Sequence, residues 1–282
     1  MTRPPRVRHP DDRLQRVWRR SAPVRAYARH SPVRKGPWFL ARRLVLPRYP
    51  AAGPFTVQFA DGSRIELDYG DAIGRAVLVS GRFEQAERDW LARRAAGGVA
   101  IDVGANVGWH AAGMAATGAT VIAVEPLVQN LVRLRATVAR HPTVVIEPTA
   151  LGARPGRVRH TAPADGAYAA VTGPVPGRCA GLDRDEPTGA STWPVTTLDT
   201  LWDRYGRPRV QVVKIDVEGY ELEVLDGGRR LLANARPDVL VETLRPAGIA
   251  ELFAALGYRE LRRPAGFEPW NHVYAPASPV AG

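Results

Sequence analysis

Acids in this chain stand at the ends of three short apolar runs, each of which has the character of a buried strand. Asp102 lies in "VAIDV" and is followed closely by Gly104, Asn106 and Gly108. Glu125 closes "ATVIAVEP", with Pro126 and Leu127 directly behind it. Asp216 and Glu218 close "VVKIDVEG", where Lys214, one of only two lysines, precedes the first acid. A glycine turn before a helix lets a ligand approach unpaired backbone N–H groups. An acid at the end of the next strand can accept both hydroxyls of a ribose. Asn106 replaces the middle glycine of G-x-G-x-x-G, and no third glycine follows in register. That pattern falls short of what a dinucleotide pyrophosphate needs. A zwitterionic cofactor without phosphates needs less, and Asp102 can meet its positive group.

For these residues to act together, the elements that carry them must bring their turns to one edge. From residue 99 onward apolar runs alternate with helical patterns. "VAIDV", "ATVIAVEP", "TVVIEP", "VQVVKID" and "DVLVET" read as five strands, with further candidates at "YRELRR" and "NHVYAP". "VGWHAAGMAA", "LVQNLVRLRATVAR", "TTLDTLWDRY", the stretch to Asp226 and "IAELFAALG" read as helices between them. In the second of these, Val128, Leu131, Val132 and Val138 fall near one face. Thr196 or Thr197 is the expected cap of the third. Such alternation predicts an α/β fold with a parallel, doubly wound sheet and right-handed crossovers. Ligands of such sheets bind beyond the carboxyl ends of the strands, near the switch in strand order.

Upstream, "FTVQFADGSRIELDY" reads as a β-hairpin turning at Asp61-Gly62, and residues 83–95 read as a helix ended by Gly97-Gly98. Residues 152–194, rich in Gly, Pro, Asp and Thr, mark a long connection or a small inserted β-element. Three parts follow: a basic, partly helical or disordered arm over 1–50, a hairpin and helix over 51–98, and a ligand-binding domain over 99–282.

"IDVGANVGWH", "VIAVEP", "TTLDTL" and "VVKIDVEGYELEVLDGG" resemble the FkbM-type S-adenosylmethionine-dependent methyltransferases, and "GRFE", Gly81 to Glu84, resembles the short motif ahead of their glycine loop. The resemblance covers roughly residues 55–275. It implies a Rossmann-like class I methyltransferase fold with helices on both faces of a seven-stranded, mostly parallel sheet whose last strand is antiparallel. It also implies O-methylation of sugars, polyketides or other small metabolites. Carried over by residue, Asp102, Gly104, Asn106 and Gly108 would line the methionine and ribose part of the cofactor, and Glu84 belongs to the same set. Glu125 would bind the ribose hydroxyls, Pro126 and Leu127 would flank the adenine, and Ala150-Leu151 is a further adenine contact. Trp109-His110 departs from the family, which more often has aromatic and small hydroxyl residues there.

Methyl transfer to oxygen is an in-line displacement, so holding the reactants collinear supplies most of the catalysis, and a nearby base helps remove the hydroxyl proton. Asp216, Glu218 and His110 are the candidates for that task. Asp216 could instead hold a divalent cation with Glu242. Lys214 would pair with a neighbouring acid or reach the cofactor carboxylate. Each has a plainer reading: helix capping for Asp216 and Glu218, simple packing for His110, and a helix-start acid for Glu125. Glu221 and Glu223 read as a solvated face.

Composition narrows the classes further. At 282 residues and 45% hydrophobic the chain can bury a sizeable core, and no stretch approaches the ~18 apolar residues of a membrane span. A soluble, cytoplasmic protein is expected. Cys179 is the single cysteine, which leaves no metal-binding cysteine cluster. The net charge of +11 is concentrated in residues 1–50, and the remainder is close to electroneutral. The arm could touch nucleic acid or an anionic membrane surface. A nucleic-acid methyltransferase using that arm is therefore one alternative, although the fourth strand lacks the Pro-Pro-aromatic turn that positions a flipped base. A non-catalytic nucleotide-binding or scaffolding module is another.

Overall fold

The computed structural model describes residues 6–30, 43–51, 53–59, 63–161, 171–172 and 190–277. The Asp61-Gly62 turn and Cys179 lie outside the described residues. The chain opens with β1 (Arg6–Arg8), α1 (Asp12–Arg20) and α2 (Ala22–His30), then a 3-10 turn at Leu46–Arg48. Asp11 caps α1 by accepting from the Leu14 N–H. Pro23 lies in the first turn of α2, where a missing N–H costs nothing.

β2 (Pro54–Gln58) and β3 (Arg64–Asp68) form the expected antiparallel pair, and β1 adds to its edge. Along β2 and β3 the alternation of side chains sends Phe55, Val57, Ile65 and Leu67 into a core shared with Val7, Leu14, Val45 and Tyr49. The boundary drawn at residue 50 from charge is therefore not a packing boundary. α3 (Ala72–Ser80) follows and was not expected, because "AIGRAVLVS" carries a glycine and valines that weaken a helical pattern. Asp71 starts it by accepting the Gly74 N–H. α4 (Gln85–Ala95) leads into the main sheet.

The main sheet uses β4 (Val99–Val103), β5 (Thr120–Val124), β6 (Val144–Glu147), β11 (Val210–Ile215), β12 (Asp238–Glu242), β13 (Tyr258–Glu260) and β14 (Asn271–Pro276). The order is β13-β14-β12-β11-β4-β5-β6, seven strands, with β14 alone running against its neighbours. The Val, Ile and Ala of β4, β5 and β11 do not alternate with polar residues, which suits strands covered on both faces. α5 (Trp109–Ala115), α6 (Val128–Val138), α7 (Leu198–Arg204), α8 (Glu221–Asp226), α9 (Arg229–Ala235) and α10 (Pro246–Ala255) supply that cover. Thr197 caps α7 as expected. On α6 the buried row is Leu131, Leu134 and Val138, whereas Val128 and Val132 are 69% and 62% exposed. The expected face was therefore rotated by about a quarter turn. A second, four-stranded sheet holds β7 (Ala150–Leu151), β8 (Gly156–Thr161), β9 (Val171–Thr172) and β10 (Ala190–Thr196). It occupies the described part of the expected insertion. The chain winds from β4 outward to β6 and returns to β11 on the other side, so the switch in strand order falls between β4 and β11.

Candidate functional site

A cleft of about 950 Å³ opens at the carboxyl ends of β4, β5 and β11, at the upper end of the size of small-molecule sites. Gly104, Asn106, Glu125, Pro126, Leu127, Ala150, Leu151, Asp216 and Glu218 all line it. The opposite wall comes from the N-terminal unit, through Asp71, Ile73, Arg75 and Phe83.

The half of the cleft over β4 and β5 is built on backbone geometry. Gly104 has φ +76°, and a Cβ there would sit 1.8 Å from the Asp216 carbonyl oxygen, so this turn requires glycine. Asn106 is also left-handed, at φ +51°, a conformation that asparagine tolerates better than most residues. Its N–H donates to Glu125 Oε2 at 2.8 Å, while Leu127 N–H and Asn130 Nδ2 donate to Oε1. Glu125 is thus both a helix-start acid and a cleft residue. Three donors occupy its carboxylate and leave acceptor capacity facing the cleft. Burial raises its pKa, and those hydrogen bonds offset part of the rise. Gly108, also left-handed, packs under Leu134 of α6 and holds the loop from behind without lining the cleft.

Side-chain charge organises the half over β4 and β11. Asp102 and Lys214 face each other across the two strands at the switch point. Lys214 Nζ lies 3.8 Å from Asp102 Oδ1, donates to Asp216 Oδ2 at 3.0 Å and donates to the Gly104 carbonyl at 3.2 Å. Burial opposes its charge, but Asp216 and Asp102 outweigh that and hold its pKa above the ordinary lysine value. Neither oxygen of Asp102 accepts a hydrogen bond within the described protein, although Asp102 is fully buried. Glu218 stands at the exposed rim, left-handed at φ +55°. Partial desolvation, then the Asp216 and Glu221 charges, push its pKa up to about 7.

Several expected roles change. His110 does not face the cleft. It is buried on the first turn of α5, and its Nε2 meets Glu84 Oε2 at 2.9 Å. Burial and then the Lys214 charge lower its pKa to about 3, so it is neutral and a poor proton acceptor. Glu84 sits behind the cleft too, and burial pushes its pKa up to about 7. Helix capping falls to neither Asp216 nor Glu218. Glu221, expected on a solvated face, is buried and accepts the Gly219 N–H at 2.7 Å. Glu242 lies near Asp216 and its pKa is raised, by burial first and then by the Asp216 and Glu84 charges. Among the described residues no three carboxylate, imidazole or thiol groups converge as metal ligands. The expected Asp216–Glu242 cation pair therefore has no third ligand, and Lys214 already occupies Asp216.

Most of the N-terminal wall, Asp71, Ile73 and Arg75, was not expected from the sequence. Apart from Phe83 of the "GRFE" segment its residues have no motif, and the packing of Trp109 against Phe59 and Phe83, at 5.1 and 5.7 Å, helps bring that unit over the glycine loop. Asp71 of this wall pairs with Arg133 of α6 at 2.5 Å. The unusual Trp109 of the sequence is thus the plug that joins the two units.

Residues 102–260 match the sequence model of a family described as "Methyltransferase FkbM domain". A curated relative, the hexuronic acid methyltransferase AglP of Haloferax volcanii, is 32% identical over 158 residues, which are 56% of this chain and 57% of that protein. The chain thus spans little more than half the length of the curated relative it matches. Among solved structures, the methyltransferase FkbM from Methylobacillus flagellatus KT is 20% identical with a TM-score of 0.44, covering 62% of this chain and 42% of that one. An rRNA methylase from Streptococcus thermophilus is 10% identical with a TM-score of 0.41, covering 70% of this chain and 98% of that one. Among the described residues no helix is long and apolar enough to cross a membrane.

Proposed function

The chain belongs to the FkbM methyltransferase family, and we propose that it is an S-adenosylmethionine-dependent O-methyltransferase acting on a hydroxyl of a small molecule, a sugar, glycoside or polyketide. The cofactor, when bound, supplies an electrophilic methyl group on a sulfonium. The observation that carries this reading is the Gly104–Asn106–Glu125 cradle at the switch point. It combines a turn too tight for a side chain with a carboxylate that keeps acceptor capacity toward the cleft. Asp102, expected to line the cofactor, is fully buried beside Lys214 and does not line the cleft, so it supports the site from behind. The relative named for hexuronic acid supports a sugar-like acceptor.

In this reading the chain's own residues divide the work. Glu125 binds the ribose hydroxyls, while Pro126, Leu127, Ala150 and Leu151 form the apolar walls for the adenine. Asp216 accepts a hydrogen bond from the acceptor hydroxyl and aims its oxygen, held in place by Lys214. Glu218, with a pKa of about 7, takes the proton at neutral pH. Asp102 and Lys214 act from behind.

S-adenosylhomocysteine at ~100 times its dissociation constant should stabilise the fold by ~2.7 kcal/mol, read as a thermal shift. Complete absence of a shift with either cofactor form would sink the proposal. Asp216→Asn should keep the shift and lose turnover. Turnover should rise with pH through about 7 as Glu218 ionises, and Glu218→Gln should remove that rise.

A further inference from the structure

The charges that line the cleft do not balance within the described protein. Asp71 is matched by Arg133 at 2.5 Å, and the carboxylate of Glu125 is held by three donors. Asp216 is matched by Lys214. That leaves Arg75, on the first turn of α3, as a cleft-lining cation. Its guanidinium makes no ion pair or hydrogen bond with any described residue, and its side chain is exposed. Across the cleft stand Asp216 and Glu218, which make the sheet edge acidic. The cleft is therefore polarised, with a fixed positive group on the N-terminal wall and negative groups on the β11 side.

We propose that Arg75 is a ligand-binding residue that takes a carboxylate, and that α3 contributes it to the cleft for this purpose. The inference rests on the methyltransferase reading of the same cleft. Guanidinium and carboxylate match as planar, bidentate partners, and a half-enclosed cleft strengthens such a pair relative to open water. A zwitterion with its ammonium toward the acidic edge and its carboxylate toward Arg75 satisfies both walls at once. Two ligands of this reaction offer that group: the amino-acid end of the cofactor, and an acidic sugar as acceptor. On the β11 side an acidic acceptor would meet the carboxylate of Glu218 and an Asp216 whose charge Lys214 already matches, and Arg133 is taken by Asp71, so its carboxylate turns toward Arg75.

Titration calorimetry on the full chain and on Arg75→Gln separates the sources. The ligands are S-adenosylhomocysteine, 5′-methylthioadenosine, which lacks the amino-acid end, and glucuronate titrated into the S-adenosylhomocysteine complex. If the cofactor supplies the carboxylate, the variant binds S-adenosylhomocysteine roughly ten- to a hundredfold more weakly and 5′-methylthioadenosine unchanged. If the acceptor supplies it, both nucleosides bind as before and glucuronate binding falls by that factor. Arg75→Lys should recover only part of either loss. Because the side chain is exposed, the ligand-free melting temperature should not move, which separates lost binding from lost folding. Unchanged affinity of the variant for S-adenosylhomocysteine and for glucuronate overturns the inference and leaves the functional reading intact. Failure of the unaltered chain to bind S-adenosylhomocysteine overturns both.

Discussion

The two halves of the cleft are positioned by different physics. Over β4 and β5 the geometry is carried by backbone: a left-handed Gly104, a left-handed Asn106, and three donors converging on Glu125. Over β11 it is carried by buried side-chain charge, with Lys214 set between Asp102, Asp216 and the Gly104 carbonyl. Backbone-built sites are local in sequence, and each part fails alone. Charge-built sites are long-range, and each part fails with its partners. Of the five left-handed non-glycine residues among the described ones, three, Glu84, Asn106 and Glu218, lie in or directly behind the cleft. That concentration of strain is a mark of functional sites, where the surrounding fold over-determines the backbone.

The sharpest way to break this contrast is Lys214→Met, which should be the most damaging single change. It leaves the fully buried carboxylate of Asp102 without a counter-charge, and removing one member of a buried pair costs about 3–5 kcal/mol. Urea unfolding would report the loss. If the region is held by charge, adding Asp102→Asn should restore most of the stability; independent, additive losses would show instead that Lys214 matters for packing. Gly104→Ala comes next. The new Cβ meets the Asp216 carbonyl oxygen at 1.8 Å in a left-handed turn, and strain plus overpacking should cost about 2–4 kcal/mol. No second substitution should rescue it, because the clash is with backbone.

The same division explains what the sequence disclosed. Strands β4, β5, β11 and β12 were legible because their apolar runs end in turn residues, and the cradle was legible because its glycine and strand-end acid sit within one βαβ unit. α3 was not. The Asp71 cap is a local signal, but Gly74 and the valines weaken the pattern behind it, and the burial of Val77 and Leu78 in the N-terminal core that holds the helix is not local. Glu221 illustrates the opposite error. Flanked by acids and next to Leu222, it looks solvated, yet the turn at Gly219 folds its carboxylate back onto backbone N–H groups. His110 was misjudged because sequence gives its place in the helix but not its direction. Tertiary packing turned it inward to Glu84.

Glu125→Ala would test the backbone-built half more gently. Three hydrogen bonds disappear, but Leu127 and Asn106 line the open cleft and are not buried, so the loss should be about 1–2 kcal/mol. The thermal shift with S-adenosylhomocysteine should vanish as well. Retention of that shift would detach Glu125 from ligand binding and leave it a helix-start acid only.

The smallest effect should be a pH dependence at the Glu84–His110 pair, where two opposite shifts meet. Glu84 has a folded pKa of about 7 against an ordinary value of 4.5. Between those values the folded state holds a proton that the unfolded chain has lost, so its contribution to stability falls as pH rises toward 7. His110 works the other way. Its folded pKa of about 3 against 6.5 means that the unfolded chain binds the extra proton, so its contribution grows as pH rises through that window. Between about pH 4.5 and 6.5 the two slopes oppose and largely cancel. Glu84→Gln removes only the first, and keeps a hydrogen-bonding partner for Nε2. Relative to the unaltered chain, the variant should therefore gain stability as pH is raised from about 4.5 to 8, by roughly 1 kcal/mol or more, measured by urea unfolding at each pH. A constant difference across that range would mean that Glu84 is already ionised in the fold, and that Lys214 reaches further into this half of the cleft than its direct contacts with Asp102 and Asp216.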